Sequence, residues 1–219
     1  MAGAVVLLDF WASPFCLRAR ITLEEKGVAY ESREEENLLG QKSELLLNSN
    51  PIHKTVPVLL HNGRPVLESA NIVAYIDEAF PSKPLLPTTP YERAQARFWA
   101  DYIDKSVFVT GKGIWLSKGA EEREAAVKSL IEDVKNLEGA LGDKDFFGGD
   151  AFGYVDIIAL GPTSWFHAYE MIGAFKLEDH CPKFSSWLKR CLQRPSVAKT
   201  YPDTEKVHQL VLKLAEMFG

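Results

Sequence analysis

The sequence has few cysteines, no long apolar run and no excess of basic residues. Only three of its 219 residues are cysteines, and these lie far apart, so we expect neither a disulfide framework nor a zinc site. No apolar run approaches the roughly 20 residues of a membrane-spanning helix, and the amino terminus lacks the basic flank and apolar core of a signal peptide. These absences predict a protein of the reducing cytosol.

Acidic residues outnumber basic ones. The chain has 30 Asp and Glu against 25 Lys and Arg, a formal net charge of −5. Nucleic acids and anionic membranes are bound by basic surfaces, so neither is an expected partner. The apolar fraction of 46% and the charged fraction of 25% are those of a folded globular protein. The length leaves room for two domains.

The first 80 residues alternate between strand and helix patterns. An apolar run at 5–10 has the length of a strand, and a Ser-Pro pair at 13–14 can start a helix that Gly27 ends. A second strand is predicted near 28–33, and a short helix near 42–47 ends before an Asn-Pro pair.

An Asn-Gly pair at 62–63 joins two further strand-like segments, 56–61 and 64–67. This is the pattern of a β-hairpin with a two-residue turn. A helix near 69–79 follows. The order strand, helix, strand, helix, strand, strand, helix predicts a parallel pair extended by an antiparallel hairpin, which is the α/β thioredoxin-like layout.

Prolines recur at every third residue within 81–90, a spacing that favours an extended linker. Beyond it the apolar period becomes helical, with helices predicted near 91–115, 121–141, 155–171, 183–193 and 203–218. We therefore predict a thioredoxin-like domain at 1–80, a proline-rich linker at 81–90 and an all-helical domain at 91–219.

Three features of the first domain suit a ligand with peptide and anionic groups. Ser13 begins a helix, beside N–H groups that stabilise an anion or thiolate. Pro57 starts a strand at which this layout often has a cis peptide bond, which frees the Val56 main chain to pair with an extended peptide. Glu68 can accept from an ammonium group, and the helix start at Ser69 can receive a carboxylate. Taken singly, each also fits a structural role as a helix cap or an edge-strand proline.

Taken in order, the segments 13–15, 50–58 and 68–69 resemble the glutathione-binding half of the plant tau-class glutathione transferases. The resemblance covers essentially the whole chain and continues in segments 93–102, 147–150 and 181–184. It implies the cytosolic glutathione transferase fold, an α/β thioredoxin-like N-terminal domain followed by an all-α C-terminal domain. The family is usually homodimeric.

The resemblance implies a detoxification and stress-response enzyme that conjugates the glutathione thiolate to hydrophobic electrophiles and could reduce hydroperoxides. Glutathione is then a cosubstrate, with no permanently bound cofactor or metal. Ser13 is the implied catalytic residue, which donates a hydrogen bond to the sulfur and is not itself the nucleophile. Lys42 is expected to meet the glycyl carboxylate and Val56 the cysteinyl main chain. The implied glutathione site comprises Ser13, Lys42, Lys54, Thr55, Val56, Glu68 and Ser69.

Thr55 departs from the family pattern, which commonly has a second basic residue at this position. Thr55 could still donate a neutral hydrogen bond, or Lys54 could reach round. If neither occurs, the loss of one charge-assisted hydrogen bond costs about 1.5–3 kcal/mol of binding free energy. We predict weaker glutathione binding than in relatives with lysine at position 55.

The second-substrate pocket implied by the resemblance is apolar and aromatic, which suits hydrophobic electrophiles. Lys112 stands where the family often has arginine. Each aromatic residue could instead simply pack between helices. The implied pocket comprises Phe15, Phe108, Lys112, Trp115 and Trp165.

Two other functions stay open on the sequence alone. Cys16 lies one helical turn beyond Ser13 and could support thiol-disulfide exchange, although we expect it to face the core. Alternatively, the chain could be a non-catalytic carrier of hydrophobic ligands, a ligandin. The histidines have no metal-ligand spacing and are interpreted as surface or packing residues. They are His53, His61, His167, His180 and His208.

A Gly-Tyr-Val-Asp segment at 153–156 matches the family's cap before a central helix. The family usually has Ser or Thr at the position of Gly153. Glycine offers no side-chain hydrogen bond, so we expect Asp156 to supply more of the capping, as a folding element and not as a catalytic one.

Overall fold

The computed structural model of the protein describes residues 3–36 and 39–218. Its N-terminal half contains a four-stranded mixed sheet of strand order β2-β1-β3-β4. Strand β1 pairs parallel with β2 and antiparallel with β3, and β4 pairs antiparallel with β3. The strands are β1 (Val5–Asp9), β2 (Glu31–Glu34), β3 (Val58–His61) and β4 (Arg64–Leu67), and the helices are α1 (Pro14–Glu25), α2 (Glu44–Ser49) and α3 (Ser69–Ala79).

Helices cover both faces of this sheet because side chains alternate along its central strands. One face packs against α1 and α3, through a cluster that comprises Val5, Leu7, Ala19, Leu23, Leu59, Ile72 and Ile76. The other face packs against α2, through a cluster of Leu8, Leu46, Val58 and Leu60. The mixed sheet between helices confirms the predicted thioredoxin-like layout.

The element boundaries differ from the sequence predictions where local hydrogen bonds decide them. Strand β3 begins at Val58 rather than at 56, after Pro57, which has no N–H to donate. Helix α2 begins after Ser43, whose Oγ accepts a hydrogen bond from Leu46 N at 3.0 Å. Strand β2 begins at Glu31 rather than near 28, because Val28 N still bonds to Leu23 O at 2.9 Å in the turn that follows α1.

Residues 81–89 form neither helix nor strand, and the chain beyond them is helical. The helices are α4 (Pro90–Tyr102), α5 (Phe108–Leu116), α6 (Ala120–Leu141), α7 (Tyr154–Thr163), α8 (Phe166–Gly173), α9 (Pro182–Leu192), α10 (Pro195–Thr200) and α11 (Thr204–Phe218). A π-helical turn at Ile103–Val107 joins α4 to α5. Within the described residues, none of these helices combines the length and apolar character that crossing a bilayer requires.

Two of the predicted long helices are divided. The segment predicted at 91–115 changes hydrogen-bond pattern in the π-helical turn, and the segment at 155–171 breaks at residues 164–165, between α7 and α8. Helix α10, which begins at Pro195 and has six residues, is absent from the sequence prediction. A helix this short carries too few apolar positions to show a period.

Asp156 caps α7 as expected. Its Oδ2 accepts a hydrogen bond from Gly153 N at 3.0 Å, while Oδ1 accepts from Phe147 N at 3.0 Å and Trp187 Nε1 at 2.8 Å. Burial raises the pKa of this carboxyl to about 6. One buried side chain therefore joins the start of α7 to the preceding loop and to α9.

Candidate active site at the domain boundary

Ser13 lies between β1 and α1, at the point where the chain turns towards the helical half. It occupies the N-cap position of α1, and its Oγ accepts a hydrogen bond from Cys16 N at 3.2 Å. Its own N–H donates to Phe10 O at 2.9 Å, and its side chain is partly exposed. Because the Ser13 oxygen accepts this hydrogen bond, the hydroxyl proton is left to donate to a ligand. A ligand at this place would also lie beside the positive end of the helix dipole.

Cys16 is fully buried in the same helix. Burial, with a smaller contribution from the Asp9 carboxylate, raises the pKa of its thiol far above the ordinary value. A reactive cysteine needs the opposite, an accessible site that favours the thiolate. The environment of Cys16 therefore argues against the alternative of Cys16-dependent thiol-disulfide exchange.

Three of the predicted glutathione-binding residues lie around α2: Lys42 precedes this helix, and Lys54 and Thr55 follow it, before β3. Lys42 Nζ donates to Lys54 O at 2.7 Å, and Lys54 has a left-handed backbone with φ of 55°. The exposed Thr55 is held through its carbonyl, which accepts from Asn50 Nδ2 at 3.0 Å. The contact between Lys42 and Lys54 thus ties the residues before α2 to the loop that carries Thr55.

Val56 and Pro57 are joined by a cis peptide bond, as the layout predicts for the start of this strand. Val56 is partly exposed, whereas Pro57 is buried. The bond immediately precedes β3, a central strand of the sheet.

Glu68 and Ser69 lie at the start of α3 and face different surroundings. Glu68 has a left-handed φ of 68° and a side chain that is 68% exposed. The interpretation of Ser69 as the helix cap is wrong, because Glu68 holds the cap position and Ser69 is the first helical residue. The buried Ser69 Oγ instead accepts from Arg18 Nη1 at 3.0 Å. A left-handed glutamate costs energy of order 1–3 kcal/mol and is typical of a ligand site.

Arg18 is a residue that the sequence interpretation missed. It is fully buried in α1, and its guanidinium also donates to Asp104 Oδ1 at 2.6 Å and to Ile158 O at 3.1 Å. One cation thus holds Ser69 of the N-terminal half, the π-helical turn and α7. The available signal was an arginine at a position where the helix pattern requires an apolar residue, since arginine is rarely fully buried unless paired.

The predicted second-substrate residues form two aromatic pairs. The rings of Phe15 and Phe108 meet edge to face, with centroids 4.7 Å apart, across the boundary between the two halves. The centroids of Trp115 and Trp165 lie 6.2 Å apart, and both side chains are mostly buried. Lys112 is exposed on α5 and lies between Phe108 and Trp115 in the sequence.

The buried Trp165 anchors the helical half to the Ser13 turn. Its Nε1 donates to Ala12 O at 2.8 Å. Trp115 Nε1, in contrast, is buried without a hydrogen-bond partner among the residues that the structure describes. Phe15 and Phe108 are only partly buried. The first pair is therefore more accessible, and the tryptophan pair lies deeper between helices.

Family models describe both halves of the chain. The model for the N-terminal domain of glutathione S-transferases matches residues 7–84, and the model for the C-terminal domain of the same family matches residues 85–195.

Curated relatives match over almost the whole length. Glutathione S-transferase U25 of Arabidopsis thaliana is 54% identical, covering 100% of this chain and 98% of the relative. The probable glutathione S-transferase parC of Nicotiana tabacum is 55% identical, covering 98% of this chain and 97% of the relative.

Solved structures agree with this assignment. Rice GST1 (OsGSTU1), solved in complex with glutathione, has a TM-score of 0.94 at 45% identity and covers 100% of this chain and 99% of its own. The tau-class glutathione S-transferase MiGSTU of mango, Mangifera indica, has a TM-score of 0.88 at 40% identity, with 99% of each chain covered. This chain therefore belongs to the tau class of the glutathione S-transferases.

Proposed function

We propose that this transferase conjugates glutathione to hydrophobic electrophiles and that Ser13 stabilises the attacking thiolate. The observation that carries the proposal is the hydroxyl of Ser13 at the first turn of α1. It accepts from Cys16 N at 3.2 Å, which orients the hydroxyl and leaves its proton for a sulfur in front of the helix.

A hydrogen bond to the sulfur favours the charged form of a thiol whose pKa otherwise lies near 8.5. Each unit of pKa lowering corresponds to 1.36 kcal/mol and increases the thiolate fraction near neutral pH. The thiolate then forms a carbon–sulfur bond with the electrophile. An aryl halide loses its halide with the bonding electron pair, whereas an activated alkene takes up a proton from water.

The remaining glutathione contacts are proposed from the charge or hydrogen-bonding group that each residue offers. Lys42 and Lys54 offer ammonium groups for the glycyl carboxylate, and Thr55 offers a hydroxyl. The Val56 main chain precedes β3 and pairs with the cysteinyl residue of the tripeptide. Glu68, with its exposed carboxylate, accepts from the γ-glutamyl ammonium. Ser69, the first residue of α3, receives the γ-glutamyl carboxylate.

For the electrophile we propose a wall made by Phe15, Phe108, Lys112, Trp115 and Trp165. The edge-to-face contact between Phe15 and Phe108 supports it, because this contact joins the Ser13 turn to the first helical turn of α5. Aromatic walls favour flat apolar substrates. Exposed Lys112 adds a positive charge that suits electrophiles with an anionic group.

The same thiolate also suits the reduction of organic hydroperoxides. It attacks one peroxide oxygen, the oxygen–oxygen bond breaks, and an alcohol leaves together with the sulfenic acid of glutathione. A second glutathione thiol condenses with the sulfenic acid to give glutathione disulfide and water.

We further propose a homodimer in the cytosol. Exposed aromatic side chains on α4, Tyr91 and Phe98, support an association of subunits.

The test compares two side-chain helix caps, one inside the proposed site and one outside it. Ser13→Ala removes the cap of α1, and Thr89→Ala removes that of α4, where Thr89 Oγ1 accepts from Glu92 N at 3.2 Å. Each loses about 1 kcal/mol of folding stability. With a chlorinated dinitrobenzene as electrophile, we expect kcat/KM to fall about 100-fold or more in Ser13→Ala and to stay within about twofold in Thr89→Ala.

The pH profile gives a second readout. The inflection of kcat/KM that reports thiol ionisation is expected to move upward in Ser13→Ala, towards the free thiol value near 8.5. Equal activity of Ser13→Ala and the wild type would refute the assigned role of Ser13. Undetectable turnover of several electrophiles by the wild type, together with tight binding of hydrophobic ligands, would favour the ligandin alternative.

A further inference from the structure

A histidine of α8 lies close to a Glu-x-x-His pair of α11, in the helical half of the chain. His167 lies in the first turn of α8, and Glu205 and His208 lie one turn apart on α11. Within residues 3–36 and 39–218, the metal-binding atoms of these three side chains all lie within 4.8 Å of one another. None of the three belongs to the proposed glutathione or electrophile site.

Two of the three distances between ligand atoms approach those of a metal centre, and the third, between the two histidines, is within 4.8 Å. His167 Nε2 lies 3.4 Å from Glu205 Oε2, and His208 Nδ1 lies 3.7 Å from Glu205 Oε1. In a tetrahedral zinc site with bonds of about 2.0–2.1 Å, neighbouring ligand atoms are about 3.3–3.4 Å apart. The His167–Glu205 pair already has this spacing. The Glu205 side chain is 64% exposed, so its carboxylate has room to move closer to His208.

An ion-pair network alone does not explain the surroundings of the His208 ring. Its Nδ1 is buried and has no hydrogen-bond partner among the described residues, although the Glu205 carboxylate is near. A buried polar atom without a partner costs stability. The His167 and His208 rings stand nearly perpendicular, at 84°, with centroids 5.7 Å apart.

We propose that His167, Glu205 and His208 bind a divalent transition-metal cation such as Zn²⁺. Two imidazole nitrogens and one carboxylate oxygen form a donor set that suits Zn²⁺, Cu²⁺ or Ni²⁺ and not the oxygen-seeking Mg²⁺. Exposed Glu205 leaves room for water as the remaining ligand. Glu205 Oε1 also accepts from Gln209 Nε2 at 2.9 Å, a second-layer contact that orients the carboxylate.

Such an ion would fasten the last helix to the helical half. Helix α11 packs against α8 and α5, and α5 carries Phe108 and Trp115. A metal that links α8 to α11 therefore stabilises the packing behind the electrophile wall without touching a substrate. The sequence spacing did not predict this site because only two of its ligands share a helix.

The test is a titration of the untagged full-length protein with Zn²⁺ or Co²⁺ alone, without glutathione, whose thiol binds both metals. We expect one cation per chain, visible absorption of tetrahedral Co²⁺, and a rise of Tm of about 5 °C or more when free Zn²⁺ reaches 100 times Kd. Mg²⁺ is expected to change neither signal.

Two variants test proposed ligands, and a third is the control. His208→Gln and Glu205→Gln are each expected to weaken Zn²⁺ binding at least tenfold, and the latter changes a side chain that is 64% exposed. His180→Gln changes an exposed histidine outside the cluster and serves as the matched control. The proposal fails if His208→Gln and Glu205→Gln bind Zn²⁺ as the wild type does, or if His180→Gln causes the same loss.

Discussion

Arg18 Nη2 lies 2.6 Å from Asp104 Oδ1, in an ion pair that joins helix α1 to the π-helical turn of the helical half. The same guanidinium donates to Ser69 Oγ at 3.0 Å. A serine of the proposed glutathione site is therefore held by a cation that is itself anchored in the other half. Through Arg18, the packing of the two halves bears directly on the position of Ser69 in the proposed glutathione site.

Replacing Arg18 by methionine should destabilise the fold strongly. The variant leaves the buried Ser69 Oγ and Ile158 O without their donor and removes the partner of Asp104, whose side chain is 34% exposed. Each buried group left unsatisfied costs about 1–3 kcal/mol, so we expect a loss of about 2–5 kcal/mol. Urea unfolding measures the loss. The exposed pair of Arg33 and Glu31, whose side chains are 49% and 58% exposed, gives the control, because Arg33→Met should cost less than about 1 kcal/mol. Similar losses in both variants would contradict this account.

Gly161 marks the closest approach of α7 to α1. A Cβ at this position would lie 2.7 Å from Pro14 O and 2.7 Å from Arg18 Nε, and the first contact is with main chain that cannot turn away. Gly161→Ala should therefore cost about 1–3 kcal/mol of unfolding free energy. On α6, a Cβ at Gly139 would meet nothing within 4 Å, so Gly139→Ala should stabilise by about 0.5–1 kcal/mol. The two Gly→Ala substitutions are thus predicted to change the unfolding free energy in opposite directions, which thermal or urea unfolding measures.

Asp156 should give the fold a specific pH dependence. Burial raises its pKa to about 6, above the value near 3.9 of an unfolded chain. The folded state thus favours the protonated carboxyl, and the stability that this group contributes is lost as pH rises from 4 through 6.

Asp156→Asn does not titrate and leaves Gly153 N–H facing an amide, at a cost of about 1–3 kcal/mol. Its deficit relative to the wild type should widen as pH falls from 7 to 5, by at most about 1.4 kcal/mol per unit. Asp143, an exposed carboxylate whose pKa the Lys183 ammonium lowers, is the control. For Asp143→Asn the difference in unfolding free energy from the wild type is expected to be small, and any deficit should narrow as pH falls. A deficit of Asp156→Asn that narrows on acidification would contradict the assignment.

Much of the fold could be predicted because local signals and global packing agree in this chain. The Asn-Gly turn at 62–63, the Ser-Pro start at 13–14 and the change of apolar period after the prolines each correspond to an element of the structure. The π-helical turn after α4 could not be predicted, because residues on both sides of it keep a helical period.

The cap position of Ser13 and the cis bond before Pro57 could be predicted, because each depends on the local sequence and the fold layout. Arg18 and the His167 cluster could not, since each depends on partners far away in sequence. Arg18 meets Asp104 and Ser69, and His167 meets α11. The division of binding tasks at the proline-rich segment 81–90 stays a prediction.

Thr55 offers a test of how this chain differs from its relatives in glutathione binding. The residue is exposed, its carbonyl is held by Asn50 Nδ2, and its side chain adds no charge beside Lys54. Thr55→Lys introduces an ammonium that can meet the tripeptide carboxylates. A charge-assisted hydrogen bond contributes about 1.5–3 kcal/mol, so the Kd and KM for glutathione should fall about tenfold or more, whereas KM for the electrophile should not change. Thr88→Lys adds the same charge at an exposed linker position and controls for long-range attraction of the anionic tripeptide. An unchanged or raised KM for glutathione in Thr55→Lys, or an equal fall in Thr88→Lys, would show that position 55 does not set the affinity.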